Sequence, residues 1–236
     1  MQIPTSDSLF RKSMLFSAWS GYVAVILFII GGVLLGGMIP PLLNANDSPA
    51  EFALKVSDNL FRIRVGAVFL MFSFGLFAPF GGGIAAQTRR CENLAGLSYT
   101  QMMFAACGTL IALLVGFTWA LMAFRPVEYH PTTVQMFADF AYFLALFSVP
   151  VFAGWCATIA MPILMAEEGS EPFPRWVAYG NLWAGVLYIP GMLILFFKDG
   201  PFSWHGIVGL WIPFTAFFLW ILLMAYAMQQ VAKETD

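Results

Sequence analysis

The sequence predicts an all-α polytopic membrane protein, a bundle of six transmembrane helices with one short interfacial helix before the second span. Two features of the composition support this prediction, because 60% of the residues are hydrophobic and only 10% are charged, against roughly 25% charged in an average soluble domain. The third observation is that the apolar residues form long blocks. Each block reaches the roughly 20 residues with which a helix crosses a hydrocarbon core of about 30 Å.

Six such blocks predict a single transmembrane domain over residues 1–236. The first block follows Arg11-Lys12 and is longer than the roughly 7–15 apolar residues of a secretory signal, so we interpret it as an uncleaved first helix. The predicted spans are about 14–39, 65–87, 98–124, 135–166, 176–197 and 207–231.

A helix start stands before the second block. Ser48 supplies an N-cap, Pro49 a first helical residue and Glu51 the partner of a capping box. Phe52 and Val56 then follow at helical spacing. We therefore expect the first turns of this helix to lie in the membrane interface.

Prolines and glycines predict irregular points within the spans. Pro79 and Gly81-Gly82-Gly83 should bend or loosen the far end of the second span. The fourth block would measure roughly 48 Å as one helix, so its start should project beyond the hydrocarbon. Pro150 and Pro162 are places where this long helix can kink.

The basic residues predict the orientation. Six spans put both termini on one side, where Arg11-Lys12 and Arg89-Arg90 flank the early helices. Under the positive-inside rule these pairs favour an inside location for both termini. We therefore expect a protein of the bacterial inner membrane with both termini cytoplasmic. The loop 198–206, called the hairpin below, is then periplasmic.

Polar residues concentrate on the expected outer face. Several lie within a turn of the hydrocarbon, where an unpaired charge is costly. We therefore expect Asp139 to pair with Arg62, Arg64 or Arg125 across helices. Pinning of helix ends is favoured over a functional site as the role of these residues. The predicted cluster comprises Asn59, Arg62, Arg64, Arg125, Asp139, Lys198, Asp199, Trp204 and His205.

The sequence offers few groups for catalysis or for a cofactor. Both histidines lie in outer loops, so no span supplies a histidine ligand, and neither a metal nor another cofactor is predicted. A catalytic set of Ser203, His205 and Asp199 is disfavoured because so short a loop does not easily orient three partners. His205 is interpreted as a solvated interfacial side chain. The net charge of −2 argues against a nucleic-acid partner.

The middle of the spans combines Phe and Met with Thr118, Asn181, Trp183 and Tyr188, a set suited to enclosing an apolar molecule or to plain helix packing. Our first hypothesis is a non-enzymatic protein that binds or passes a lipid-like molecule, or an accessory subunit of a larger membrane complex. Its expected partners are membrane lipids, other membrane subunits or a small apolar ligand. The alternative is a membrane enzyme that acts on an apolar substrate at the periplasmic face, with Asp139 or Asp199 as acid or base. A transporter would need an aqueous path that these spans hardly provide.

Several short motifs carry a family resemblance. They are Arg125-Pro126, Asp139, Phe173-Pro174-Arg175-Trp176, Asn181-Leu182-Trp183, Pro190-Gly191 and Gly200-Pro201-Phe202-x-Trp204-x-Gly206. This pattern resembles a group of uncharacterised six-span integral membrane proteins of mycobacteria, related actinobacteria and some proteobacteria. Where that pattern has Asn after the hairpin Trp, this sequence has His205, which weakens a general catalytic role for His205. The resemblance implies the six-span fold and brings no known activity.

Overall fold

The protein folds as an all-α bundle in a computed structural model that describes residues 6–91 and 95–234. Within these two ranges the chain forms nine α-helices and no β-strand. The helices are α1 (Ser6–Phe28), α2 (Pro49–Asp58), α3 (Leu60–Gly75), α4 (Phe77–Arg89), α5 (Ala95–Met122), α6 (Pro131–Phe147), α7 (Val149–Met165), α8 (Arg175–Tyr188) and α9 (Ile212–Glu234).

Six segments of the described chain are long and apolar enough to cross a membrane, which confirms the predicted number. Their bounds differ from the predicted ones by several residues, because the first begins at Asp7 rather than Met14 and ends at Leu35, before Pro40. The six spans are Asp7–Leu35, Leu60–Arg89, Ala95–Met122, Pro131–Met165, Arg175–Leu195 and Gly200–Lys233.

The first and last spans are antiparallel neighbours. Near one end of the bundle the Tyr22 hydroxyl donates a hydrogen bond to Gln229 Oε1 at 3.3 Å. Further along, the ring centroids of Phe28 and Phe218 lie 4.4 Å apart. The start of the first span and the end of the last therefore share one end of the bundle, called the terminal end. The opposite end carries the hairpin and is called the hairpin end.

The short helix α2 begins with the predicted capping box. Ser48 Oγ accepts a hydrogen bond from the Glu51 N–H at 3.3 Å, and Glu51 Oε2 accepts one from the Ser48 N–H at 2.9 Å. These reciprocal bonds satisfy donors that a helix start leaves open. Phe52 and Val56 are buried, and α2 packs against the start of α6.

Two spans are divided by a break in the helix. The second span breaks at Leu76 and the fourth at Ser148. Pro79 and Pro150 follow these breaks closely, and a proline both lacks the N–H of a helical hydrogen bond and clashes with the carbonyl four residues earlier. The helices are thus interrupted beside Pro79 and Pro150, two of the predicted irregular points. Pro162 lies inside α7 without ending it, and Gly81-Gly82-Gly83 lie inside the continuous helix α4.

Three further spans change helix type. The first continues from α1 as the π-helix Ile29–Leu35, and the fifth continues from α8 as the 3-10 helix Ile189–Leu195. In the sixth, the π-helical segment Ile207–Trp211 precedes α9. Among the six described spans, the third alone is α-helical throughout. Irregular backbone inside a span needs neighbours to satisfy its polar groups, and it is frequent at functional sites.

Candidate functional site

A central cavity of about 70 Å³ lies inside the bundle. All six spans contribute to its wall, and every lining side chain except that of Tyr188 is apolar. A cavity with so few polar partners stays dry. The lining residues are Phe28, Met38, Phe74, Phe77, Ile111, Ala112, Val115, Ala145, Leu146, Val149, Phe152, Tyr188, Pro213, Phe214, Phe217 and Phe218.

The cavity lies at the level where five spans depart from a regular α-helix. Each of these spans contributes lining residues beside its irregular point: Phe28 in the first, Phe74 and Phe77 in the second, Leu146 and Val149 in the fourth, Tyr188 in the fifth, and Pro213 and Phe214 in the sixth. Close packing of helices requires side chains in regular rows. Where these rows are interrupted in five neighbours at once, space remains between them.

Two of the side chains that the regular third span contributes to the cavity wall are small. Ala112 and Val115 of α5 line it and are buried, and Ala145 of α6 is a further small lining residue. A larger side chain at Ala112 would extend into the open volume. The cavity therefore has two causes, irregular backbone in five spans and small residues on the helices beside it.

An aromatic layer separates the cavity from the hairpin end. Trp204 of the hairpin is buried, and its ring centroid lies 4.4 Å from that of Tyr142. The Tyr142 hydroxyl donates to the carbonyl oxygen of Met38, a lining residue, at 2.9 Å. Trp119 meets Tyr142 edge-on at 5.8 Å and donates from Nε1 to the Gly36 carbonyl oxygen at 3.1 Å. Trp204 is thus part of the closing layer.

A second layer, called the packed layer, closes the cavity toward the terminal end. It consists of Phe80, Trp155, Asn181 and Trp220. The ring centroids of Trp155 and Trp220 lie 5.1 Å apart, and those of Phe80 and Trp220 lie 5.8 Å apart. Trp220 Nε1 donates to Asn181 Oδ1 at 2.8 Å, and Asn181 Nδ2 donates to the Val177 carbonyl oxygen at 2.8 Å. The cavity is therefore enclosed between two aromatic layers.

The hairpin holds Ser203, His205 and Asp199 in contact. Ser203 Oγ lies 3.2 Å from His205 Nδ1, and His205 Nε2 lies 3.6 Å from Asp199 Oδ1. Gly200 has a positive φ of 73°, a backbone conformation that favours glycine, and it forms the turn that brings the three side chains together. The expectation that this short loop does not orient three partners is therefore wrong. His205, interpreted from the sequence as a solvated interfacial side chain, is partly buried, with 22% of its side chain exposed.

The same geometry does not make Ser203 a nucleophile. Ser203 is buried, and its Oγ donates to the Gly200 carbonyl oxygen at 2.9 Å. A catalytic serine must instead donate its proton to the histidine base and present its oxygen to a substrate. The three side chains close the turn of the hairpin.

Asp47, which the sequence reasoning did not select, lies near His205. Its carboxylate accepts hydrogen bonds from Lys55 Nζ at 2.6 Å and from the Asn44 N–H at 2.9 Å, and it interacts electrostatically with His205. Partial burial alone would raise the pKa of the Asp47 carboxyl, but the bonds from Lys55 and Asn44 outweigh it, so the pKa is lowered. The one feature of the sequence that could have indicated Asp47 is its position directly before the capping box.

Two arginines of the predicted cluster bind carbonyl groups at the ends of other spans. Arg62 Nη2 donates to the Leu34 carbonyl oxygen at 2.9 Å. Arg64 donates from Nε to Ala123 and from Nη2 to Phe124, at 2.9 and 3.0 Å. The last carbonyls of a helix have no intrahelical donor, and a cation is favourable there. These arginines therefore cap the first and third spans.

Asp139 has a neighbour that was not predicted. Its half-buried side chain interacts electrostatically with Lys198. Arg125 pairs with Glu128 instead, with Nη1 and Oε2 3.6 Å apart. The prediction that an arginine pairs with Asp139 is therefore wrong, because helix-end carbonyls and Glu128 occupy the guanidinium groups.

The structure brings only part of the predicted cluster together. Asp199, Trp204 and His205 meet within the hairpin, and Lys198 faces Asp139 beside it. Asn59 joins α2 to α3, where its Nδ2 donates to the Lys55 carbonyl oxygen at 3.0 Å. The remaining members, which are Arg62, Arg64 and Arg125, serve helix ends and a local ion pair.

The residues predicted for the middle of the spans lie in different environments. Tyr188 lines the cavity and Asn181 belongs to the packed layer. Thr118 Oγ1 donates to the Leu114 carbonyl oxygen in its own helix at 2.6 Å, and Trp183 is 68% exposed on the outside of the bundle. The phenylalanines of the wall were missed because Phe on a span is equally typical of packing, of lipid contact and of a cavity wall.

Among the described residues, no group of three or more His, Cys, Asp and Glu side chains is arranged to hold a metal ion. Comparisons with protein families, with curated proteins and with solved structures found no match. The fold and the cavity therefore define a class, a six-span all-α membrane protein. Its resemblance to the mycobacterial group stays a prediction.

Proposed function

We propose that this membrane protein binds an apolar molecule, or the hydrocarbon part of a lipid, in the central cavity, without enzymatic chemistry. The observation that carries the proposal is the cavity, whose wall is apolar except at Tyr188 and receives residues from all six spans. Ligand sites are concave and mostly apolar, with few polar groups. Sites between interrupted spans are also a recurring arrangement in membrane proteins.

The energetics support an apolar occupant. At about 24 cal/mol per Å³, a cavity of about 70 Å³ costs about 1.7 kcal/mol of stability when it is empty. Hydrocarbon groups restore the dispersion contacts that the wall lacks. Water cannot do so, because it finds almost no hydrogen-bond partner there.

The bilayer is the source that we propose for this occupant. Ile111, Ala145 and Phe152 line the cavity from α5, α6 and α7, and all three are only half-buried. A molecule dissolved in the hydrocarbon can approach along this side without crossing the polar ends of the bundle. The aromatic layer under the hairpin and the packed layer close the other directions.

The other hypotheses have less support. An accessory subunit fits best with a filled bundle, whereas this bundle retains a cavity. An enzyme at the hairpin end lacks a free nucleophile, because Ser203 is buried and hydrogen-bonded. Its proposed acid or base, Asp139, faces Lys198.

Xenon provides a direct test, since apolar cavities take it up without any specific polar contact. The protein in lipid nanodiscs would be titrated with xenon and observed by xenon NMR. We expect a saturable site in the wild type. We expect Ala112→Leu to abolish it, because the longer side chain fills the volume beside α5.

Ala106→Leu is the matched control, because Ala106 lies on the same helix and is exposed on the outside of the bundle. It should leave xenon binding unchanged. Lipid extraction and mass spectrometry of the three proteins, purified from their membranes, would then identify the native occupant. Equal xenon uptake by the wild type and Ala112→Leu would contradict the proposal.

We further propose the bacterial inner membrane as the location, with the terminal end cytoplasmic. Arg11-Lys12 and Arg89-Arg90 support this orientation. Lys198→Cys and Lys233→Cys, each combined with Cys91→Ser, place a thiol at opposite ends of the bundle. A membrane-impermeant maleimide added to intact cells should label position 198 and spare position 233. The reverse pattern would invert the proposed orientation.

A further inference from the structure

The exposed face of α3 carries an arginine on each of its edges at the hairpin end of the bundle. We propose that this face binds an anionic phospholipid from the bilayer. The headgroup phosphate is held by Arg62 and Arg64, and an acyl chain lies along the apolar residues that follow them. This site lies on the outside of the bundle, and it does not rest on the function proposed for the cavity.

Helical geometry places the two arginines on either side of an apolar stripe. Successive residues of an α-helix are rotated by about 100°, so Arg62 lies about 100° to one side of Phe61 and Arg64 about 60° to the other. Phe61 is 78% exposed. Val68 and Phe72 continue the same face within about 20° of Phe61, and both are exposed. The stripe therefore begins between two cations.

The two guanidinium groups are held in place and still have free donors. Arg62 uses Nη2 for the Leu34 carbonyl oxygen, and Arg64 uses Nε and Nη2 for two carbonyl oxygens at the end of the third span. A guanidinium has five N–H groups. Since Arg62 uses one and Arg64 uses two, four and three N–H groups remain without an acceptor among the described residues. Both side chains are exposed, so these donors can reach a ligand on the outer surface.

Neither positive charge is balanced by a carboxylate within the described ranges. Glu128, at the same end of the bundle, pairs with Arg125. Asp58, the last residue of α2, forms no ion pair with either arginine. The carbonyl oxygens that Arg62 and Arg64 contact carry only partial charges. Both arginines stand in the first turn of the second span, where a charge without a counter-charge is costly.

An anionic phospholipid supplies both features that this face lacks. Arginine binds phosphate through its planar fork with two parallel hydrogen bonds, and cations at the membrane surface attract anionic lipids. A zwitterionic lipid has the same phosphate, but its own cation offsets the attraction. The acyl chain of the lipid covers Phe61, Val68 and Phe72. Apolar contact together with basic residues is a combination that holds lipid more firmly than either alone.

A local quenching experiment measures the preference. Val68→Cys, combined with Cys91→Ser and Cys107→Ser, carries a fluorophore on the apolar stripe, while Cys156 is buried. The protein is placed in phosphatidylcholine nanodiscs that contain a small fraction of a lipid with a nitroxide on its acyl chain, either phosphatidylglycerol or phosphatidylcholine. We expect nitroxide phosphatidylglycerol to quench at a roughly 10- to 30-fold lower mole fraction, the combined effect of two arginines.

Arg62→Gln and Arg64→Gln should each reduce this preference about 3- to 10-fold. Quenching by nitroxide phosphatidylcholine should stay unchanged, which shows that the variants are folded. Arg62→Lys keeps the charge and should retain most of the preference. Arg125→Gln is the matched control, because it removes an exposed arginine from the same end of the bundle, but one that has a carboxylate partner. It should change the preference less than about twofold.

Val186→Cys, in the same cysteine background, places the fluorophore on an exposed residue of the fifth span, where the two nitroxide lipids should quench equally. Equal quenching by the two lipids at position 68 would overturn the proposal, and so would an unchanged preference in Arg62→Gln and Arg64→Gln. An equal preference at position 186, or an equal loss in Arg125→Gln, would also overturn it, because the overall charge alone would then attract the lipid. An equal loss in Arg62→Lys and Arg62→Gln would show that the charge is not what binds.

Discussion

The cavity and the packed layer are neighbours built from similar residues, yet one is open and the other is filled. Phe77, Phe152 and Phe217 line the cavity, and Phe80, Trp155 and Trp220 follow three residues later on the same helices. A step of three residues is about one helical turn, or roughly 5 Å. Aromatic content alone therefore does not decide whether a layer of this bundle is filled.

The difference lies in the backbone. In the packed layer the helices are regular and approach closely at Gly81, where an added Cβ would lie 2.8 Å from Trp155 Cζ2. At the cavity, five spans are interrupted or change helix type. Polar groups do not follow this division, because the packed layer contains both the hydrogen-bonded pair Asn181 and Trp220 and the Nε1 of Trp155, which has no partner among the described residues.

The largest expected contrast comes from the same substitution, alanine to leucine, made beside the packed layer and at the cavity. Ala105 packs against Gly81 and is buried, and Ala112 lies two turns further along α5 and lines the cavity. Ala105→Leu should lower the free energy of unfolding by about 1–3 kcal/mol, because the core there has no room. Ala112→Leu should raise it by about 0.5–2 kcal/mol, because it fills a void. Denaturant unfolding of detergent-solubilised protein, followed by tryptophan fluorescence, measures both.

Ala106→Leu, on the exposed face of the same helix, controls for the helix propensity of leucine. A loss of stability in Ala112→Leu comparable to that in Ala105→Leu would break the comparison. It would mean that the cavity closes in solution.

A smaller contrast is expected when a polar group is removed from the packed layer and from the cavity wall. Asn181→Leu leaves the buried Trp220 Nε1 without its acceptor and should lower the free energy of unfolding by about 1–2 kcal/mol. Tyr188→Phe removes a hydroxyl whose partner is the thiol of Cys156, a weak acceptor, and should change the free energy of unfolding by less than about 0.5 kcal/mol. Thermal unfolding of the same preparations, without added ligand, compares the two variants. A larger loss in Tyr188→Phe than in Asn181→Leu would show that the contact between the Tyr188 hydroxyl and the Cys156 thiol is a strong hydrogen bond.

The sequence was sufficient for the features that depend on local chemistry. Hydropathy predicted six spans because each block must match the thickness of the bilayer. The Ser48 and Glu51 capping box and the breaks near Pro79 and Pro150 follow from local hydrogen bonding and ring sterics. The π-helix Ile29–Leu35 had no such signal, because its distinct backbone depends on packing against other spans.

The site was less accessible to sequence reasoning. Tyr188 was selected as a residue of the middle of the spans, but the phenylalanines beside it could not be assigned to a wall without knowing which helices meet. The arginines were correctly placed at helix ends, and their partners were wrong because backbone carbonyls do not appear in a list of charged residues. Asp47 was missed because its role depends on Lys55 and His205, which lie near it only after folding.

The smallest expected effect is a loss of stability in acid. It tests whether the cavity contributes to the pH dependence of the free energy of unfolding. The Asp47 carboxyl has a pKa below its ordinary value through Lys55 and Asn44, despite partial burial that would raise it. A carboxyl with a lowered pKa stabilises the fold above its unfolded value of about 4, and this contribution is lost as the pH falls through the folded-state pKa. Between pH 5 and pH 3 we therefore expect the free energy of unfolding to fall by about 0.2–1 kcal/mol on account of Asp47.

Asp47→Asn should make this fall shallower, because the amide does not titrate. Ala112→Leu, which changes only the cavity, should shift the stability at every pH and keep the wild-type slope. Parallel denaturant titrations at pH 5, 4 and 3 measure the three slopes. If the slope of Ala112→Leu differed from that of the wild type, the cavity would be coupled to the charges at the hairpin end, and the aromatic layer of Tyr142 and Trp204 would be the connection, since it contacts both the hairpin and Met38 of the cavity wall.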